Sequence, residues 1–216
     1  MKGLVVAGIG TEVGKTVISA VLCEALEADY WKPIASGTDD GPPDGEIVAG
    51  LIQRGSERVH PTRYLFRKSL SPHIAAAMEG VEIQISDLQL PETSAPLVVE
   101  LAGGVFVPIN DSATNLDLLQ AFGLPVVVVS KHYLGSINHT LLTLEVLRSR
   151  GCQVLGVIFN GEELPDTERI IVQLGRVKVL GRVPSLKSLS SSQIIGNAGK
   201  AFSATKADLE ALFEFL

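Results

Sequence analysis

The stretch GIGTEVGKT, residues 8 to 16, follows directly on the apolar run GLVVA. No other segment restricts the fold as much. An apolar strand, a glycine loop and a Gly-Lys-Thr that opens a helix are the parts of a phosphate-binding loop. In such a loop backbone N–H groups surround phosphate oxygens, and the helix N-terminus adds its positive dipole. Lys15 then reaches the outer phosphates and the Thr16 hydroxyl binds Mg2+. The spacing is unusual. The common pattern G-x-x-x-x-G-K-[ST] needs a glycine five residues before Gly14. That position is Ile9, with Gly8 one step too far back and Gly10 one step too near.

The rest of the chain alternates in the same way. TVISAVLCEALEA carries apolar residues at helical spacing after the loop. DYWKPIASG begins as a strand near Tyr30 and turns into a loop, and residues 38–45, with Gly, Pro and Asp, form a surface loop. EIVAGLIQRG reads as a helix with Asp44 as its N-cap, and SPHIAAAMEG as another. APLVVELAGG, LPVVVVSK, QVLGVIFN and VLGRVPS are apolar strands. LGSINHTLLTLEVLRSRG is a loop and then a helix stopped by Gly151, TERIIVQLG is helical, and the C-terminal TKADLEALFEFL is a further helix. Strands that are apolar throughout and alternate with helices predict parallel pairing with crossover helices on both faces. The expected fold is one doubly wound α/β domain over residues 1–216, P-loop NTPase-like, with a mostly parallel sheet. Ligands in such sheets sit beyond the C-terminal strand ends. Three of those ends carry polar residues: Lys32, Glu100 and Asn160.

Bulk properties exclude some classes. A chain of 216 residues with 46% hydrophobic and 19% charged residues can bury a full core. A net charge of −6 argues against nucleic acid and anionic membranes as partners. No apolar run approaches a bilayer span, and the N-terminal apolar run is too short for a signal peptide and flows into the glycine loop. The two cysteines, Cys23 and Cys152, show no metal or redox spacing. They are expected to be reduced, as in the cytoplasm, with Cys23 packed in the core.

At the strand ends each polar residue has two readings. Glu100 is a Mg2+ ligand facing the loop, directly or through water, or a solvated strand-end carboxylate. Lys32 neutralises a transferring phosphoryl group, or is an ordinary surface lysine.

Taken together these segments resemble the dethiobiotin synthetase family. The stretched loop G-x-x-x-x-x-G-K-T is that family's own. KPIASG from Lys32 matches its Lys-Pro-x-x-Ser-Gly, and SPHIAA from Ser71 matches its Ser-Pro-His. ELAGGVFVPI from Glu100 resembles its Glu-Gly-Ala-Gly-Gly segment, and LGSINHTLLT from Leu134 its Leu-Gly-x-Ile-Asn-His. IFN ends at Asn160 in the adenine-recognition position, and Val183–Pro184 matches a late loop beside the base. The matches run in order from residue 3 to about residue 185. Two departures stand out: Leu101 where the family has Gly, and Ile170 about where some members place a tyrosine near the substrate carboxylate. The metal-binding acid after the Lys-Pro segment aligns to Asp44 or to Glu46, with Asp44 preferred because it ends the flexible loop.

The resemblance implies an ATP-dependent cyclo-ligase that uses Mg2+ and takes 7,8-diaminononanoate with CO2 or bicarbonate. Glu12, Val13, Gly14, Lys15, Thr16 and Val17 would cradle the nucleotide, with Glu100, Asn160, Val183 and Pro184 also on the nucleotide side. Lys15, Lys32, Thr11 and Ser36 would serve the reacting groups. Thr16, Asp44 and Glu100 would surround the metal. Lys32 and Ser36 would also contact substrate, with Gly135, Ser136, Ile137 and Asn138 holding its carboxylate from a neighbouring subunit of a homodimer. Glu12 stands at the loop tip with no assigned role beyond the loop. His73 and His139 read as structural.

Two other classes share such a loop. Partitioning-type ATPase switches carry an additional lysine early in the loop, where this chain has Gly10. Cobyrinate-type amidotransferases add a glutaminase domain, for which 216 residues leave no room.

Overall fold

The computed structural model describes residues 2–185 and 190–201. The first half runs β1 (Gly3–Gly8), α1 (Lys15–Leu26), β2 (Asp29–Trp31), β3 (Ile34–Ser36), α2 (Asp44–Leu51), α3 (Gly55–Arg58), β4 (Tyr64–Phe66) and α4 (Pro72–Met78). It continues with β5 (Leu97–Gly104), α5 (Asn115–Phe122), β6 (Val126–Lys131) and α6 (Ser136–Ser149). The last elements are β7 (Val154–Asn160), α7 (Pro165–Gly175), β8 (Val179–Val183) and α8 (Ser191–Ala201).

All six residues of β1 are buried. A strand without a wet face must be covered on both sides, so it belongs in the middle of a sheet. It lies between β5 and β6 in a six-stranded sheet of order β2-β5-β1-β6-β7-β8. Every pairing in that sheet is parallel. Parallel neighbours need long crossovers, and the helices supply them. α1 packs against α2, α8 and β5, while α6 packs against α7, β6 and β7. Ile18, Val21 and Leu22 of α1 are fully buried, each contributing about 1.5–3 kcal/mol of apolar burial. Because all the strands point one way, their C-terminal ends form a single edge. Gly8, Trp31, Gly104, Lys131, Asn160 and Val183 all stand there.

Several expectations need correction. DYWKPIASG does not dissolve into loop after Trp31. Ile34–Ser36 forms β3, which pairs in parallel with β4 as a separate two-stranded sheet. Asp44 is not the N-cap of α2; Pro43 takes that place, and Asp44 is the first helical residue. Glu100 does not end its strand. β5 runs on through Gly104, and Glu100 pairs with Val6 in mid-sheet, fully buried. Helix α5 was missed although Thr114 and Asp117 form a reciprocal capping box at its start, a signal legible in T-N-L-D. Helix α8 was also missed. The expected C-terminal helix TKADLEALFEFL lies outside the described residues. Cys23 is buried in the core as expected, and burial pushes its thiol pKa up.

Candidate active site

A cavity of about 730 Å3 opens at the C-terminal edge of the sheet, beside the glycine loop. Thr11, Glu12, Gly14, Lys15 and Thr16 form one wall, and Lys32, Ser36, Asp44 and Glu100 another. The segment 69–72, with Ala102, Gly103 and Val107, completes it.

The loop takes this shape for local reasons. Gly14 has φ 90 and starts α1. Its left-handed backbone favours glycine, and a Cβ there would collide with the Asn160 amide. Asn160 Nδ2 donates to the Val13 carbonyl at 2.8 Å, so the end of β7 fastens the loop. Glu12 at the tip has φ 57, a costly conformation for a non-glycine residue and a frequent one at functional sites. Lys15 turns back and donates to the Gly10 carbonyl at 3.0 Å. Burial pulls the Lys15 pKa down to about 8, and the nearby Lys32 charge adds to this against the attraction of Glu100 and Asp44.

Four side chains close a ring beside that loop. Thr16 Oγ1 lies 2.6 Å from Asp44 Oδ1 and 3.0 Å from Glu100 Oε1. Its single proton serves one carboxylate at a time. Lys32 Nζ donates to Asp44 Oδ2 at 2.6 Å and to Glu100 Oε1 at 3.0 Å. Lys32 is 7% exposed and Glu100 0%. That removes the surface-lysine reading and the solvated-carboxylate reading together. Burial opposes the charge of both Lys32 and Asp44. The two carboxylates outweigh it at Lys32, whose pKa is raised, and the Lys32 ammonium outweighs it at Asp44, whose pKa is lowered. Asp44, and not Glu46, is the acid brought to Thr16 and Lys32. Tyr30 adds a contact that sequence reasoning missed: its hydroxyl donates to Glu100 Oε2 at 3.0 Å. Burial and the Glu100 charge hold that phenol protonated, with its pKa well above the ordinary value.

Thr16 Oγ1, Asp44 and Glu100 are a set of hard oxygens, which suits Mg2+. Among the described residues no three His, Cys, Asp or Glu side chains group for a metal. Two carboxylates and a hydroxyl fit a Mg2+ that takes its remaining ligands from phosphates and water. Ser36 supports a polar ligand in the cavity. It lines the wall, yet its Oγ is buried with no hydrogen-bond partner, an arrangement that costs about 1–3 kcal/mol unless a ligand satisfies it.

Other expected residues fall elsewhere. Val13 is buried in the core and Val17 packs partly against it, so neither lines the cavity. Val183 pairs with Asn160 and accepts from the Gly161 N–H, with Pro184 next to it. Gly135, Ser136, Ile137 and Asn138 form the start of α6, where Gly135 has φ 102. They are not among the residues lining the cavity of the same chain. The Leu101 side chain is buried in the core, which leaves Ala102 and Gly103 on the cavity. His73 Nδ1 meets Ser71 Oγ at 3.1 Å, and His139 Nδ1 meets the Tyr133 hydroxyl at 2.8 Å. Neither histidine lines the cavity. Segment 69–72 was missed as cavity wall, although its Ser-Pro-His signal was in view.

Residues 2–193 match the model of a family described as AAA domain. The fold is similar to that of the cell division ATPase MinD of Pyrococcus furiosus, at TM-score 0.61 and 14% identity over 98% of this chain and 100% of that one. A ParA family ATPase from Chlorobium tepidum matches at TM-score 0.56 and 13% identity, over 91% and 97% of the two chains. At such identities the likeness speaks for the fold alone. In sequence the chain is 48% identical over 191 residues to the ATP-dependent dethiobiotin synthetases BioD of Brucella ovis and Brucella melitensis. The match spans 88% of this chain and 90% of each relative. A loop of unusual spacing, a buried lysine between two carboxylates and this degree of identity along the chain lead to one assignment: the chain belongs to the dethiobiotin synthetase family.

Proposed function

We propose that this protein converts 7,8-diaminononanoate, CO2 and ATP to dethiobiotin, ADP and phosphate. The observation that carries the reading is the 48% identity over 88% of the chain to named synthetases. The cavity supports how it would work. One substrate amine and CO2 give a carbamate with release of a proton. A carbamate oxygen attacks the γ-phosphorus and expels ADP, leaving a carbamic-phosphoric anhydride. The second amine attacks the anhydride carbon, closes the cyclic urea and expels phosphate. The protein's work is positioning and charge neutralisation, as in other phosphoryl transfers. Lys15 leaves the Gly10 carbonyl for the outer phosphates. Lys32 and Ser36 hold the carbamate end, with Thr11 beside the phosphates. Thr16, Asp44 and Glu100 hold Mg2+, which when bound neutralises charge on the phosphates. Asn160, Val183 and Pro184 stand at the adenine end.

On this reading residues 1–216 form a single ATP-binding domain of a cytoplasmic homodimer. The start of α6, with Gly135, Ser136, Ile137 and Asn138, faces the substrate carboxylate with the backbone N–H groups of its first turn, of which that of Ser136 already donates to the Tyr133 carbonyl at 2.9 Å. They are not among the residues lining the cavity of their own chain, and on this reading they serve the neighbouring subunit's site, as the family resemblance implies. No described helix is long and apolar enough to cross a membrane.

The decisive experiment is mass spectrometry of the product formed from diaminononanoate, ATP, Mg2+ and 13C-bicarbonate. Label in a cyclic urea is expected, and ATP hydrolysis should stay slow until diamine and CO2 are both present. Fast hydrolysis without them would favour a switch ATPase. Shared sites have their own test. Lys15→Ala damages the phosphate side, and Ser136→Glu sets a charge against the substrate carboxylate. After subunit exchange, each mixed dimer should hold one intact site, so roughly a quarter of all sites should recover by two-fold symmetry. No recovery despite proven exchange would mean that each subunit binds its substrate alone.

A further inference from the structure

Glu100 has two carboxylate oxygens with different surroundings. Oε1 faces Thr16 and Lys32, both at 3.0 Å. Oε2 faces away from them and accepts from the Tyr30 hydroxyl, also at 3.0 Å. The sheet register explains why tyrosine reaches it. Tyr30 of β2 pairs in parallel with Val98 of β5, and side chains two residues apart on a strand share a face. Glu100 is therefore the next residue on the face that Tyr30 occupies, and a phenol spans the diagonal between them. Tyr30 is fully buried and does not line the cavity. It cannot touch nucleotide or substrate.

We propose that Tyr30 is a positioning residue for the metal site, holding Glu100 Oε2 so that Oε1 alone is presented toward Thr16, Asp44 and the cation. The idea rests on the reading that these three residues hold Mg2+. A buried carboxylate oxygen left unbonded costs free energy, which the carboxylate can relieve by rotating toward other donors. Such a rotation would take Oε1 off the metal. Tyr30 opposes it by satisfying Oε2. Partners of metal ligands in this position typically change metal affinity by about 10–100-fold. Lys32 donates to Asp44 Oδ2 and Glu100 Oε1 and not to Oε2, so the phenol is the observed partner of that oxygen.

The test is Tyr30→Phe, which keeps the ring and most of the core volume. With ADP bound, Mn2+ affinity is measured by electron paramagnetic resonance, with Mg2+ as competitor. ADP affinity in chelator and the thermal midpoint are measured alongside. Metal affinity should weaken about tenfold while metal-free ADP affinity stays the same. An unchanged metal affinity would overturn the proposal. So would equal weakening of metal-bound and metal-free ADP, which is what a general loss of packing produces. Glu100→Gln separates the two layers. If that variant loses metal affinity and Tyr30→Phe does not, only the role of Tyr30 fails. If Glu100→Gln also binds metal normally, the metal assignment itself fails, and the proposal with it.

Discussion

Lys15→Ala should lower turnover about 10²–10³-fold, the scale of one lost donor to transition-state charge, while leaving the protein at least as resistant to heat as the parent. Activity and stability move in opposite directions because the ammonium is badly placed until a phosphate arrives. Lys15 is 6% exposed, and its pKa falls from 10.5 to about 8, chiefly by burial. A lysine with a lowered folded-state pKa opposes folding while it is charged. Below about pH 8 it is charged in both states, and the full cost is present. Between about 8 and 10.5 the folded protein releases the proton and the unfolded chain keeps it, so the parent's stability rises with pH. The thermal advantage of Lys15→Ala should therefore be largest below pH 8 and fade above it. Single-turnover product formation and melting curves across pH 6.5 to 10 would check both halves. Turnover within a few-fold of the parent would remove Lys15 from the phosphate site. A large loss of thermal stability would mean that its bond to the Gly10 carbonyl outweighs its burial.

Lys32→Met should abolish detectable turnover and also destabilise the empty protein, the reverse of Lys15→Ala. Among the described residues, Lys32 is the basic side chain that pairs with both Asp44 and Glu100. Removing one member of a buried ion pair costs about 3–5 kcal/mol. The lower end applies, because the Asp44 side chain keeps 26% of its surface exposed. That corresponds to a fall in melting temperature of roughly 6–12 °C for a chain of this size. Methionine keeps the length of the stem, so the loss is mainly one of charge. Mg2+ without nucleotide should then raise the melting temperature of the variant more than that of the parent. In the parent, Lys32 already holds the oxygens that a cation would take. Equal Mg2+ responses in the two proteins would show that the lysine and the metal do not share those oxygens.

Much of the fold was legible in the sequence, for a simple reason. Strands such as VVVV at 126–129 are apolar without alternation, and only a sheet covered on both faces accommodates that. The glycine loop, its lysine and its threonine were legible because their geometry is local. Strands β3 and β4 escaped because their signals are short, whereas helix α5 escaped although its T-N-L-D capping box was legible. Three residues of strand are too few to show a period, and β3 exists only because β4, from a distant part of the chain, pairs with it.

By itself the sequence determined the class of the fold, the edge of the sheet where the cavity opens, and the glycine loop that forms one of its walls. These follow from periodicity and from residues close together in the chain. What Lys32, Asp44 and Glu100 do for one another was decided only by the tertiary structure. Thr16 and Glu100 are 84 positions apart, and Tyr30 and Glu100 are 70. Strand order and register bring them together, and neither can be read from local composition. Burial then changes their chemistry. A strand-end carboxylate in water would be indifferent to its neighbours, but Glu100, taken out of water, must be held by a hydroxyl, an ammonium and a phenol, because a low-dielectric interior leaves no solvent to do it.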